Sequence, residues 1–180
     1  MSKISTRKLV VNALMVALVF LITFLPFLHI PSPIAQGYFN LGDAVIMITA
    51  ILLGRKSGFI AGAFGSALAD LVWGSFIFVP ITFIVKGLEG YIVGAIANKS
   101  NNDRISVIRR IISLAVGIAI MAFGYFIFEF SVVRLLDKEL ALVAIITELP
   151  GNLIQGAVSA VLAYTFITLI NRTNIIYKLK

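Results

Sequence analysis

The chain has 180 residues, 60% hydrophobic and 13% charged, with a mean hydropathy of +1.05. Water-soluble domains carry about 25% charged residues, so the composition excludes an ordinary soluble domain and reads as an integral membrane protein. It has no cysteine and a single histidine, His29. That excludes a disulfide framework, thiolate metal sites and cysteine catalysis, and it argues against a histidine-rich metal site. The net charge of +7 is spread over short basic segments between apolar stretches. Such placement is expected of membrane topology rather than of nucleic-acid binding.

A helix crossing the hydrocarbon needs about 20 apolar residues. The first predicted span runs from about Lys8 to Phe27 and stops at Pro26 and the Pro31/Pro33 segment. It is long and no A-x-A-like cleavage site follows, so it reads as a retained span rather than a signal peptide. The second, Asn40 to Leu53, is short and broken by Gly54-Arg55-Lys56. Ser57 to Trp73 and Phe76 to Ala97 give the third and fourth, and Ser106 to Val133 the fifth. The sixth, Pro150 to Ile170, places Pro150 at a helix start, where proline is tolerated. The expected fold is therefore an all-α integral membrane bundle of six transmembrane helices, with residues 1–180 forming a single domain.

Twelve of the fifteen lysines and arginines fall at the two termini and on the even-numbered connections. Only Arg134 and Lys138 fall on the opposite side, and Lys86 lies within a span. This asymmetry predicts cytoplasmic N and C termini. Depth follows from that orientation. Asn40 and Asp43 open the second span at its outer end, Asp70 and Trp73 close the third there, and Glu129 lies near the outer end of the fifth. Glu148, Asn152 and Gln155 share one face of the outer sixth span. Lys86 and Glu89 fall near the middle of the fourth.

Ionisable groups within apolar helices are costly, and they point to a polar cavity between helices. The inner halves of the spans are nearly free of them, which favours a one-sided pocket over a full-thickness channel. Lys86 and Glu89 stand three apart, so a structural ion pair competes with ligand contact. Asp70, at a helix end, reads as a loop or capping group.

Small residues recur at four-residue spacing in the third helix (Gly58, Gly62 and Ser66; Ala61, Gly65 and Ala69) and in the fourth (Gly90 and Gly94). In lipid such stripes let helix backbones approach closely. Ala13 and Ala17 repeat the pattern in the first helix, where internal packing or docking to another membrane subunit would explain them. Between the first two spans, HIPSPIAQGYFN is stiffened by two prolines and can turn at Gln36-Gly37. It reads as a connecting loop or as a lid above the pocket.

The stretch NLGDAVIMITAILLGRKSGFIAGAFGSALADLVWG, then PITFIVKGLEG and ELPGNLIQGAV, resembles the substrate-binding S components of energy-coupling factor (ECF) vitamin transporters. The resemblance runs from about Asn40 to Ala160 and is closest to the riboflavin, pyridoxine or hydroxymethylpyrimidine branch. It implies a multi-pass protein of the bacterial cell membrane that binds a vitamin or precursor at its outer face, with no cofactor, and topples to release it inward. The implied partners are a membrane coupling subunit and two cytoplasmic ATPases, with Ala13 and Ala17 as the docking element. The chain has no G-x-x-x-x-G-K-[ST] loop, so ATP hydrolysis would belong to those partners and the chain would not be an enzyme.

A flat heteroaromatic ligand needs apolar faces and a few placed polar groups. The expected ligand-binding residues are Tyr38, Asn40, Asp43, Trp73, Phe83, Lys86, Glu129, Glu148, Asn152 and Gln155. Phe76, Phe78 and Tyr125 are further candidates for the aromatic faces. The expected cargo is of the hydroxymethylpyrimidine or pyridoxine class, with riboflavin as the alternative.

Three rival functions carry less of the sequence. A proton-coupled carrier would want polar groups in the inner halves and an inverted repeat. An intramembrane enzyme would want an H-E-x-x-H or a nucleophile elbow. A scaffold subunit would leave the buried acids without purpose.

Overall fold

The computed structural model describes residues 5–26, 30–31, 38–98, 106–133, 135 and 138–172, with backbone alone at 30, 31, 38, 132, 133 and 138–147. Helix α1 spans Thr6–Phe24. It ends because Leu25 precedes a proline, which disfavours helical backbone, and Leu25 is extended at φ −65°, ψ 117°. The chain then forms two two-residue strands, β1 (Ile30–Pro31) and β2 (Tyr38–Phe39), paired antiparallel with Ile30 opposite Phe39. That pairing is a small departure from the all-helical expectation. Much of the predicted lid segment lies outside the described residues.

Helix α2, Gly42–Leu53, has 12 residues. At 1.5 Å per residue it reaches only about 18 Å, against a hydrocarbon thickness of about 30 Å. Gly54 alone separates it from α3, Arg55–Trp73. Its φ of 93° is a conformation in which glycine carries no steric penalty. Gly74, left-handed at φ 89°, closes α3 by donating its N–H to the Asp70 carbonyl. Helix α4, Val79–Ala97, follows with Pro80 in its first turn.

Helix α5, Val107–Phe128, begins at Ser106, whose hydroxyl accepts from the Arg109 N–H at 3.2 Å as an N-cap. It passes into a wider π-type turn over Glu129–Val133. Helix α6 runs from Lys138 to Arg172, and Pro150 lies inside it. This corrects the expectation that Pro150 starts a helix. Proline removes one helical donor, yet the helix continues on both sides of it.

Six α-helices are thus present among the described residues. Four helical segments are long and apolar enough to cross a membrane: Thr6–Phe24, Val79–Ala97, Val107–Ser131 and Glu148–Arg172. Helix α3 is the packing hub. A Cβ on Gly58 would meet Ala50 Cβ at 2.7 Å, one on Gly62 would strike the Lys86 carbonyl, and one on Gly65 would meet Val19 at 2.6 Å. The small-residue stripes therefore seat α3 against α1, α2 and α4, as internal packing predicts.

Met47, Ala50, Ile51, Val93, Leu114, Ala163 and Ile167 form a core joining α2, α4, α5 and α6. Val19, Ile46 and Ala61 join α1, α2 and α3. Leu14, Phe64, Ile84, Phe123 and Ile154 instead face outward, as suits a surface bathed in lipid chains.

Candidate functional site

The buried polar residues converge on one recess. Helix α4 contributes Thr82 and Lys86 from successive turns, with Phe78 just before it, and α6 contributes Glu148, Asn152 and Gln155. Tyr125 and Glu129 close it from α5 and the turn that follows. Asn40, Thr23, Ser66 and Asp70 complete the wall. Six expected ligand-binding residues are brought together here: Asn40, Lys86, Glu129, Glu148, Asn152 and Gln155.

The remaining four are placed differently. Asp43 is wholly buried and lies behind the wall rather than on it. Trp73 is 42% exposed and packs edge-on against Phe24, with ring centroids 5.8 Å apart. Phe83 packs edge-on against Phe59 and Phe64, at 6.1 and 5.1 Å. Neither ring lines the recess; each packs against other aromatics instead. Of Tyr38 only the backbone is described. Phe76, 66% exposed, also stays outside, whereas Phe78 and Tyr125 supply the aromatic faces.

Asp43 organises the recess from below. Its Oδ1 accepts from Lys86 Nζ, and its Oδ2 accepts from Gln155 Nε2 at 2.6 Å. Gln155 Oε1 in turn accepts the Asn40 N–H at 2.8 Å. The Asn40 side chain accepts from the Gly42 N–H, also at 2.8 Å, an Asx-type turn that starts α2. One chain of bonds therefore ties α4, α2, α6 and the end of β2. Phe39 reinforces the tie by resting on α6 where Gly151 leaves no room for a side chain.

Glu89 stands 3.7 Å from Lys86 Nζ, and its carboxylate has no hydrogen-bond partner. Lys86 forms ion pairs with both Asp43 and Glu89, Asp43 being the nearer, and it also lines the recess. A buried ion pair is not a strong source of stability, since desolvation offsets most of the attraction. Its effect here is to fix geometry. Lys86 Nζ also sits 5.4 Å from the Tyr125 ring centroid, and Tyr125 Oη shares a 2.9 Å hydrogen bond with Thr82.

The family model for the S component of the ECF-type riboflavin transporter matches residues 3–172. The chain belongs to this S-component family. An uncharacterised protein of Pyrococcus woesei, named for its position in a gap 3′ region, is 39% identical over 101 residues. That match covers 54% of this chain and 62% of the relative, so the chain spans under two thirds of the relative's length. For an S-component family member, multi-pass membrane character agrees with the four long apolar helices.

Sequence reasoning missed Thr23, Ser66 and Thr82, and it grouped Asp70 with the cavity-marking acids but kept it out of the ligand set as a loop or capping group. Ser66 and Asp70 stand four apart on α3, and Thr82 stands four before Lys86, so each pair shares a helix face. That spacing was a usable signal. Asp70 does take part in closing α3 through its backbone carbonyl, while its side chain lines the recess.

Proposed function

We propose that this chain is the specificity subunit of an ATP-driven ECF vitamin transporter, binding its cargo in the recess at the outer membrane face. The observation that carries the reading is a buried polar recess at one end of an otherwise apolar helix bundle, in a member of the S-component family. The charge asymmetry of the sequence supports six spans with both termini cytoplasmic. That orientation puts the recess outside. Asn40, Lys86, Glu129, Glu148, Asn152 and Gln155 bind the cargo, with Asp43 holding two of them in place.

The cargo class is a vitamin or precursor with a small flat ring, hydroxymethylpyrimidine or pyridoxine. Phe78 and Tyr125 supply apolar faces, and the amides and carboxylates supply the few directional contacts such a ring needs. Riboflavin is the second reading, favoured by the description of the matching family. A membrane coupling subunit and two cytoplasmic ATPases supply the ATP hydrolysis. Ala13 and Ala17, both on the outward face of α1, form the docking surface.

The test is to purify the protein with and without the coupling module and identify the carried ligand by mass spectrometry. The reading expects a vitamin-class molecule bound by the chain alone, and ATP-dependent uptake only with the module. Concentrative uptake by the chain alone in ATP-free liposomes would sink it.

A further inference from the structure

The carboxylate side chains among the described residues, Asp43, Asp70, Glu89, Glu129 and Glu148, all line the recess or pair with Lys86 beside it. The other end of the bundle is basic. Arg110 stands there in the first turn of α5 and is only 6% exposed. Its Nη1 donates to the Thr168 hydroxyl of α6 at 3.0 Å, and its guanidinium lies 5.5 Å from the Tyr164 ring centroid. Thr168 donates onward to the Tyr164 carbonyl at 2.7 Å. Tyr164, Thr168 and Arg172 follow at four-residue spacing, so they share one face of α6, the face that meets Arg110.

Arg110 is buried with its charge unanswered. A guanidinium has five N–H donors, of which Thr168 takes one, while Nε is buried without a partner. The Tyr164 ring offers a π face but no net charge. Among the described residues, no carboxylate pairs with Arg110 or Arg172. Glu89, level with Gly117, is seven residues or about 10 Å away along α5 and stands beside Lys86. A buried carboxylic acid escapes the cost of desolvation by taking up a proton. An arginine has no such escape, because it keeps its charge. Along the sequence, the segments assigned to this side hold twelve basic residues and one acid, Asp103. One carboxylate does not neutralise them.

We propose that the seam between α5 and α6, at the cytoplasmic end, binds the phosphate of an anionic phospholipid, with Arg110 and Arg172 as its cationic partners. The proposal takes its orientation from the transporter reading above and nothing else. A planar guanidinium donates bidentately to phosphate oxygens. Val107, Ile108, Ile111 and Leu169, next to Arg110 and Thr168 in sequence or one turn away, are exposed. A lipid supplies acyl chains for these side chains together with its charge, and a soluble ion does not. Basic pockets between helices on the cytoplasmic side are suited to anionic headgroups.

The test measures binding of phosphatidylglycerol and phosphatidylcholine to the purified protein in detergent by native mass spectrometry. Two basic residues favour an anionic headgroup by roughly 30-fold, so phosphatidylglycerol is expected to bind at least about tenfold more tightly. Arg110→Gln and Arg172→Gln should each cut that preference severalfold. Arg55, exposed on α3 and stacked on Tyr91, lies on the same side of the membrane, and Arg55→Gln should leave the preference unchanged. If Arg110→Gln does not fold, the wild-type preference and Arg172→Gln decide.

Equal affinities for the two lipids overturn the proposal. So does an equal loss on Arg55→Gln, which would mean general surface charge rather than a site. Displacement of the lipid by an equal concentration of inorganic phosphate would assign the seam to a free anion and overturn it too. Weakened assembly of Arg110→Gln with a coupling subunit, without any lipid preference in the wild type, would give the seam to a partner's carboxylate instead. The lipid measurement needs neither cargo nor ATPase. Its failure leaves the transporter reading standing, and failed uptake leaves this site standing.

Discussion

Gln155 on α6 donates to Asp43 on α2 at 2.6 Å, across 112 residues of sequence. The other oxygen of the same carboxylate holds Lys86 of α4. Asp43 is thus the shared acceptor of two residues that face the recess, although it is wholly buried and does not face it. Asp43→Asn keeps an acceptor oxygen but removes the carboxylate charge nearest Lys86, leaving Glu89, at 3.7 Å, as its ion-pair partner. Breaking one side of a buried pair costs about 3–5 kcal/mol, and thermal unfolding in detergent should show a loss toward the lower end. The double variant Asp43→Leu/Lys86→Met should recover much of that stability while abolishing binding. Wild-type melting of Asp43→Asn would show that the pair does not hold the three helices together.

The recess was half legible in the sequence, for a physical reason. An ionisable residue inside an apolar run has few tolerable places, so Lys86, Glu129 and Glu148 announced themselves by composition alone. Glu148, Asn152 and Gln155 could be grouped because helical spacing fixes their common face. Aromatic residues carry no such constraint. Trp73 and Phe83 are as comfortable against other rings as against a ligand, and only packing shows that they meet Phe24, Phe59 and Phe64. The extension of α6 through Pro150 was illegible for another reason. Proline usually ends a soluble helix, but in a membrane bundle neighbouring groups can re-satisfy the freed carbonyl.

Gly62 couples the packing of α3 to the geometry of the site. A Cβ there would strike the Lys86 carbonyl and lie 3.2 Å from Ile46. Gly62→Ala must push α4 away at the very turn that carries Lys86. Overpacking of this kind costs about 1–3 kcal/mol, and ligand affinity should fall with the melting temperature. Gly58→Ala presses on Gly90 and Ala50 instead, so it should lower stability while largely sparing affinity. Equal effects of the two substitutions on affinity would show that the backbone position of Lys86 does not govern binding.

Ala13 and Ala17 are both exposed on α1, among exposed Leu9, Leu14, Leu18 and Leu21. No internal packing would be disturbed by a larger side chain there. Ala13→Leu or Ala17→Leu should therefore leave melting temperature and ligand affinity unchanged. Close approach of a partner helix needs small residues, so assembly with the coupling subunit and uptake should both be impaired. Normal co-purification and normal uptake would mean that this face meets only lipid.

Asn152 offers the cleanest separation of ligand contact from helix glue. It lies one turn from both Glu148 and Gln155 on α6, lines the recess, and is 7% exposed. Gln155 is held by Asp43 and Asn40, whereas no hydrogen bond among the described residues holds the Asn152 amide. Asn152→Leu keeps similar bulk and removes both donor and acceptor. A ligand group left unpaired in a buried site loses about 1–3 kcal/mol, a weakening of roughly 5- to 150-fold. Without ligand the variant should melt like the wild type, and the stabilisation conferred by bound ligand should shrink in step with the lost affinity. Calorimetric titration and ligand-dependent melting measure the two quantities independently. Full affinity combined with a lowered melting temperature would assign Asn152 to helix packing and leave recognition to Lys86, Glu129, Glu148 and Gln155.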